Sequence, residues 1–488
     1  MSTKVLEWRK IRMTSKVSLH VLSEDDVKLV HSSSLRLLQE VGIEIEYQPA
    51  VDILRDAGQK VEGSRVYFDP EYVEKMVARA PNEFTLHARD PEFNIQIGGD
   101  NLVYAPGYGA PFIIQKGKRR ATVWEDYMNF LKLAHVSEDI DLSGGMLIEP
   151  TDLDDRTRYL DALYAHLRYS TKCPMGCSYG AEGARDTIEL LAPVFGGKEE
   201  LKKKPAVVTL INTISPLKLD ERQTGALIEY AKWNQAVIIA SLVMAGSTGP
   251  ATLAGAMAVQ NAEVLAGITL AQAVNPGCPV IYGCASSVTD MHTGNVSIAN
   301  GESALMAAAA ARMAKFYELP CRSGGGLTDA KTVDGQAGYE SALMLMAPVT
   351  AGTNIILHTA GILQYWLCMS YEKFVMDTEI AGIMRRVRKG IEIDEDRLAV
   401  DVVSKVGPGS HFLTQKHTKR YHKTEFRKPV ISDRQSFEGW VLESLTAEDR
   451  AARICQQRIN EYEDPGLDQS LQNELQSYVD SRKNEIIK

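Results

Sequence analysis

No excess of positive charge marks this sequence: 63 acidic side chains outnumber 54 basic ones, for a formal net charge of −9. That balance argues against a general nucleic-acid binder, whose surface is normally basic, and gives no reason to expect an anionic membrane as partner. Nor is there a disulfide framework. The seven cysteines (Cys173, Cys177, Cys278, Cys284, Cys321, Cys368, Cys455) are odd in number and scattered through apolar surroundings. Reduced, buried thiols and a cytoplasmic location are expected. The charged opening with Lys4, Glu7, Arg9, Lys10 and Arg12 is not followed by the apolar core of a secretory signal, and no unbroken apolar run reaches bilayer length. Missing too are the P-loop, HExxH and GxSxG patterns, and no GxGxxG follows an early strand. Cys173-Pro174-Met175-Gly176-Cys177 lacks a second Cys/His pair at zinc-finger spacing, so no metal site is expected there.

What is present is a large apolar core and a regular alternation. Apolar residues make up 44% of 488, enough for a barrel of typical size with extensions. Near the start, Ser23 with Asp26 at N3 predicts a capped helix with its apolar face on Val27, Val30, Leu35, Leu38 and Val41, ended by Gly42. Mixed helix and strand follow, with turn signals at Arg89-Asp90-Pro91 and Gly98-Gly99. From residue 103, eight short apolar or glycine-containing runs appear at 103–114, 143–149, 173–180, 206–213, 236–244, 279–286, 319–326 and 353–360. Helical stretches lie between them, as at 123–136, 155–170, 219–233, 251–275, 298–317 and 333–351. Runs such as Ala236-Val237-Ile238-Ile239-Ala240 are apolar without alternation, as in a parallel sheet buried on both faces.

The predicted fold is α/β: a (β/α)8 TIM barrel with an N-terminal extension and a C-terminal helical tail. Its expected parts are an α/β extension over 1–100, the catalytic barrel over 101–400 and a helical extension over 401–488. In the tail, Thr446 with Asp449 predicts another capping box, and Pro465 with Gly466 precedes a final polar helix. This tail is expected to wrap the barrel or a second subunit. The Ala- and Gly-rich helices at 251–275 and 303–315 imply close packing against the barrel or a neighbouring copy, so a homo-oligomer is expected.

Barrel sites form at the carboxyl ends of the strands. In chain order these offer Tyr104 and Tyr108, Glu149, Tyr179, Asn212 and Ser215, Met244, Ser286 and Asp290, Gly324 to Asp329, and His358. Three glycines before Asp329 allow a backbone to approach a ligand closely; the competing reading is a tight turn with Asp329 as N-cap. His358 ends an apolar strand, where it is either a satisfied core residue or a group that binds a carboxylate and titrates near neutrality. Tyr104 and Tyr108, set among glycines and prolines, form either an aromatic wall for a quaternary ammonium or simple packing. The basic run from Lys416 to Lys423 is a solvated surface or a dock for an acidic partner. The residues alone reach a barrel enzyme with a small-molecule site, and not its reaction.

Longer motifs carry a resemblance. Arg322-Ser323-Gly324-Gly325-Gly326-Leu327-Thr328-Asp329-Ala330-Lys331, Asp334-Gly335-Gln336-Ala337-Gly338-Tyr339-Glu340-Ser341-Ala342 and Leu357-His358-Thr359-Ala360-Gly361-Ile362-Leu363 resemble the trimethylamine methyltransferase (MttB) superfamily. So do Glu372-Lys373-Phe374, Gly407-Pro408-Gly409-Ser410-His411-Phe412-Leu413 and the helix end Glu40-Val41-Gly42; the likeness spans nearly the whole chain. It implies a barrel that passes a methyl group from an amine to cobalt(I) of a separate corrinoid protein, with no cofactor bound by the chain itself. Trimethylamine enzymes carry pyrrolysine, and this chain has only ordinary residues. A quaternary ammonium already bears full charge and expels a neutral tertiary amine, so it needs no such activation; aromatic faces and a carboxylate can hold it with one methyl in line for displacement. Non-pyrrolysine relatives use glycine betaine, proline betaine or carnitine, and family precedent ranks glycine betaine first.

On that basis Asp329 and His358 are the expected catalytic residues, with His358 anchoring a substrate carboxylate. Asp329 and Tyr104 or Tyr108 would face the ammonium group, and Glu149, Asn212, Gly324 and Gly325 would complete the substrate site. The glycines at 324–326 would leave room for the flat corrinoid. Competing readings are a zinc-dependent thiol or alcohol methyltransferase using Cys284, His292, Cys321 or His358, a non-catalytic amine- or corrinoid-binding barrel, and a barrel lyase or hydrolase.

Overall fold

A computed structural model describes residues 13–15 and 17–488; the charged opening at residues 4–12 lies outside the described residues. The apolar runs become six parallel strands, β1 (Val103–Tyr104), β2 (Val208–Asn212), β3 (Ala236–Ser241), β4 (Val280–Cys284), β5 (Cys321–Gly324) and β6 (Ile355–Leu357). They form one curled sheet in the order β2-β3-β4-β5-β6-β1, the architecture of a TIM-like barrel. Two further segments link its edges. The N–H groups of Asp141 and Leu142 donate to Tyr104 O, Met175 N–H donates to Gly144 O, and Gly176 N–H donates to Val208 O.

The helices follow the strands in alternation: α2 (Trp124–Val136), α3 (Arg158–Tyr169), α4 (Gly180–Val194), α5 (Glu221–Lys232), α6 (Leu253–Val274), α7 (Gly301–Phe316), α8 (Gly335–Ala351) and α9 (Tyr371–Lys389), preceded by α1 (Glu24–Arg36). Strand side chains alternate between an inner and an outer apolar layer. Val103, Leu210, Ile238, Ile281, Ile355 and Leu357 fill the interior, joined by Leu86 and Ile97 of the hairpin Glu83–Leu86 with Ile95–Gly98. Tyr104, Ile239, Tyr282 and Ile356 face the surrounding helices.

Leu253–Val274 is long and apolar enough, by length and composition, to cross a membrane. It is a buried helix, 78% of its most apolar stretch being enclosed, because it is covered on both sides, by β3 and β4 within and by α1 and the helix Pro70–Val77 without.

Helix α1 has its predicted capping box from Ser23 and Asp26, and Val27, Val30, Leu35 and Leu38 are buried. Val41 is not. The last turn, Leu37–Val41, winds as a π-helix closed by Gly42 N–H to Leu37 O, and the extra residue per turn rotates Val41 to the surface. Gly42 sits at φ +76°, and a Cβ there would lie 2.7 Å from Val66 O, so the stop requires glycine. The tail folds back on the same barrel. Helix α10 (Ala447–Asn460), capped by Thr446 and Asp449, lies on α9 and α2, and α11 (Gln469–Ile487) lies on α3 and α4. Tyr478 OH and Arg482 Nε reach Asp186 of α4 at 2.7 and 3.0 Å.

Candidate active site

At the carboxyl ends of the strands the barrel interior widens into a cavity of about 280 Å³. In the hydrogen-bonded row Asn212, Ala240, Gly283, Arg322, Ile355, the neighbours of Arg322 toward β3 are Gly283 and Ala240. A Cβ on Gly283 would lie 2.6 Å from Ile239 O and 2.8 Å from Ala240 Cβ, so the close approach of these two strands requires glycine there. Arg322 is 2% exposed; its Nη1 donates to Cys284 O at 2.9 Å, and its Nε has no partner. Among the described residues no carboxylate pairs with it, and no Asp or Glu lines the cavity. Burial pulls its pKa down to about 10, which leaves it charged at neutral pH.

His358 stands beside it at the end of β6, in the left-handed region at φ +59°, with its N–H on Pro106 O. Its ring is buried and Nδ1 has no partner. Burial first, and then the Arg322 charge, hold its pKa well below that of a free histidine, so the ring is neutral. Two aromatic rings complete the wall. Trp366, 6.4 Å from the His358 ring between centroids, is carried on the turn between Ile362–Leu363 and Cys368–Met369. Gln364, Tyr365 and Trp366 there have φ of 48°, 57° and 80°, three successive left-handed residues without glycine, a costly conformation that clusters at functional sites. Tyr108 follows β1, its ring set against Gly145, where a Cβ would lie 2.9 Å from Tyr108 Cε2.

Of the residues singled out from the sequence, Tyr108, Asn212, Gly324 and His358 line this cavity, as does Ser286. Five others stand elsewhere. Tyr104 alternates with the inward Val103, so its ring points outward; its hydroxyl donates to Ala381 O, and the Arg385 guanidinium lies 4.7 Å over the ring. Glu149 is spoken for behind the cavity wall, accepting from Tyr179 OH at 2.8 Å and pairing with Arg158. Asp329 accepts from Ser297 Oγ and Ile298 N–H, which fastens the segment before α7; it does not cap α8, whose N-cap is Asp334. Gly325 and Gly326 make room for the next strand, not for a ligand: a Cβ would lie 2.3 Å from Ile356 Cγ2 at one and 2.3 Å from Thr359 O at the other.

The residues weighed for zinc do not converge. Cys284 and His358 border the cavity, Cys321 packs in the outer layer, and His292 sits in an exposed turn capped by Asp290. The basic run lies on an exposed helix, Lys416–Glu425, that buries none of its residues. Sequence reading missed Arg322 and Trp366 as site residues. For Arg322 a signal existed: a charge in the middle of a buried parallel strand demands a reason. Trp366 had none, because its position depends on how the hairpin after β6 folds back.

The MTTB trimethylamine methyltransferase family model matches residues 2–487. This chain belongs to that family. The methyltransferase is 55% identical over 429 residues to the glycine betaine methyltransferase of Desulfitobacterium hafniense (strain Y51), covering 88% of this chain and 90% of that one. It is 30% identical over 434 residues to the proline betaine:corrinoid methyltransferase of Eubacterium limosum, covering 86% and 88%. To the trimethylamine methyltransferase MttB of Methanosarcina barkeri (strain Fusaro / DSM 804) it is 29% identical over 441 residues, covering 86% of each. The crystal structure of the Methanosarcina barkeri monomethylamine methyltransferase superposes with a TM-score of 0.53 over 92% of this methyltransferase and 89% of that chain; at 11% identity this shows the fold alone.

Proposed function

We propose that this methyltransferase takes a methyl group from glycine betaine and passes it to cobalt(I) of a corrinoid carried by a separate protein. The observation that carries the reading is a cavity that, among the described residues, holds an uncompensated buried arginine, two aromatic rings and no carboxylate. A free cation would meet the Arg322 charge with nothing to offset it, a repulsion of roughly 3 kcal/mol at 6 Å and an effective dielectric of 20. A betaine brings its own counter-charge. Its carboxylate accepts from the Arg322 guanidinium and from the Nδ1–H tautomer of neutral His358, while its methyl groups lie against Trp366 and Tyr108 by cation–π attraction.

Fixing the carboxylate fixes the direction of the opposite end. The reacting methyl then points to the mouth, in line for displacement, and dimethylglycine leaves as a neutral amine, so no residue need supply a proton. Exposed Ile214, Leu242, Met291 and Leu367 follow the strand ends and suit the apolar edge of a flat macrocycle. The corrinoid supplies the nucleophile; the chain binds, orients and excludes water. We read segments 141–145 and 173–177 as the second and third strands of a closed (β/α)8 barrel, with 1–100 and 401–488 as its extensions.

The test is loss of the cobalt(I) absorbance of cob(I)alamin mixed with the enzyme and, in turn, glycine betaine, proline betaine, carnitine and trimethylamine. Methylation with glycine betaine and none with trimethylamine is expected. Turnover of trimethylamine alone would refute the proposal.

A further inference from the structure

Behind the cavity, Lys373 and Asp377 form an ion pair on α9 whose side chains are 1% and 0% exposed, with Nζ and Oδ1 2.5 Å apart. Nothing in the chemistry proposed above uses it, and paired charges are costly to bury. Its remaining bonds explain its place. Lys373 Nζ also donates to Gly326 O at 3.2 Å and to Ser341 Oγ at 2.7 Å, and Asp377 Oδ2 accepts from Gly361 N–H at 2.9 Å. Gly326 lies four residues after Arg322, and Gly361 three after His358.

The two turns therefore present opposite groups to α9, a carbonyl from one and an N–H from the other. A donor and an acceptor one helical turn apart answer both at once. An apolar pair would fill the space and leave Gly361 N–H without an acceptor. The glycines belong to the same arrangement: a Cβ on Gly326 would lie 3.2 Å from Asp377 Cγ, and one on Gly361 would lie 2.6 Å from Met369 Cε. Bare backbone is what lets the turns come close enough to be held.

We propose that Lys373 and Asp377 are positioning residues, which lock the turns after β5 and β6 so that Arg322 and His358 converge on the substrate carboxylate. This rests on the glycine betaine reading. The test compares wild type with Lys373→Met/Asp377→Leu, which removes the bonds, and with Lys373→Gln/Asp377→Asn, which is uncharged but keeps a donor and an acceptor in place. Glycine betaine affinity is measured by calorimetry, and the methylation rate at saturation with cob(I)alamin. In the apolar pair the Kd is expected to rise tenfold or more and the saturated rate to fall, with the polar pair restoring the Kd to within about threefold. A folded apolar pair with wild-type Kd and rate, or a folded polar pair no better than the apolar one, would overturn the assignment. Should the apolar pair not fold, Asp377→Ala alone, which removes the acceptor of Gly361 N–H, decides, with a threefold or greater rise in Kd expected and an unchanged Kd overturning it. A wild-type protein that does not take up glycine betaine would instead fault the substrate, and is seen before any variant is made.

Discussion

Replacing Arg322 with methionine should make the protein more stable and almost unable to hold its substrate. The stability change follows from burial. A guanidinium whose pKa falls from its ordinary value to about 10 is about 3 kcal/mol costlier to charge in the folded chain. This cost is present at every pH below 10. Methionine removes it and forfeits the bond to Cys284 O, worth about 1 kcal/mol. The net gain of about 2 kcal/mol raises the melting temperature by about 2 °C, at an unfolding entropy near 2.1 cal/mol/K per residue. Binding moves the other way. Truncating one partner of a desolvated, hydrogen-bonded charge pair costs about 2–4 kcal/mol, a rise in Kd of roughly 30- to 1,000-fold. Calorimetry with glycine betaine reads the second change and scanning calorimetry the first. Choline, which has the same cationic head and no carboxylate, should bind the variant no worse than it binds wild type. A variant that binds glycine betaine with wild-type affinity would refute the carboxylate assignment, and one that melts lower would refute the claim that Arg322 stands uncompensated.

The aromatic side of the site gives a milder effect. Trp366→Ala should raise the glycine betaine Kd roughly 5- to 30-fold, the value of a desolvated cation–π contact of about 1–2 kcal/mol, and Trp366→Phe should keep most of the affinity; equal losses in both would point to packing instead. A pH effect comes from His166 of α3, which is buried between Tyr127, Ser143 and Gly145 and has its pKa pushed down to about 4. Between pH 6.5 and 4 the unfolded chain binds a proton there that the folded chain does not. Its contribution is therefore complete above pH 6.5 and falls by about 1.4 kcal/mol per unit as the solution is acidified, about 3 kcal/mol in all. Urea midpoints at pH 4.5, 5.5 and 7 should fall less steeply for His166→Gln, and parallel profiles would disprove this.

Much of the scaffold was legible because parallel strands and covering helices leave different periodicities. Runs such as 236–244 and 279–286 contain β3 and β4, and the predicted helices at 123–136 and 333–351 match α2 and α8 closely. The runs 143–149 and 173–180 were legible as apolar or glycine-containing segments but not in their form, since Gly144 and Pro174 take part in isolated bridges where a ladder was expected. The site was legible only where a residue's role follows from its position along a strand. His358 lies at the end of β6 and reaches the cavity. Tyr104 does not, because one residue's difference in register turns a side chain from the interior to the helices. Asp329 and Glu149 were drawn in by their charge, and in the folded chain both charges are already answered by neighbours.

That last point bears on what kind of cation the enzyme is built for. Sequence reasoning looked for a carboxylate to face the ammonium group, since opposite charges attract. Among the described residues no carboxylate lines the cavity, and a positive charge is buried there instead. For a substrate that is only a cation this arrangement is repulsive; for a zwitterion it is complementary, because the strongest available bond is to the carboxylate and the ammonium asks only for polarisable faces. The arrangement also separates binding from chemistry. In the proposed pose, affinity is gathered at the end of the molecule that does not react, which leaves the methyl groups free of directional bonds that would have to break as the methyl departs. On the proposed binding mode, selectivity for a betaine over a simple amine and readiness of the methyl for transfer come from the same two residues, Arg322 and His358, acting at the far end of the substrate.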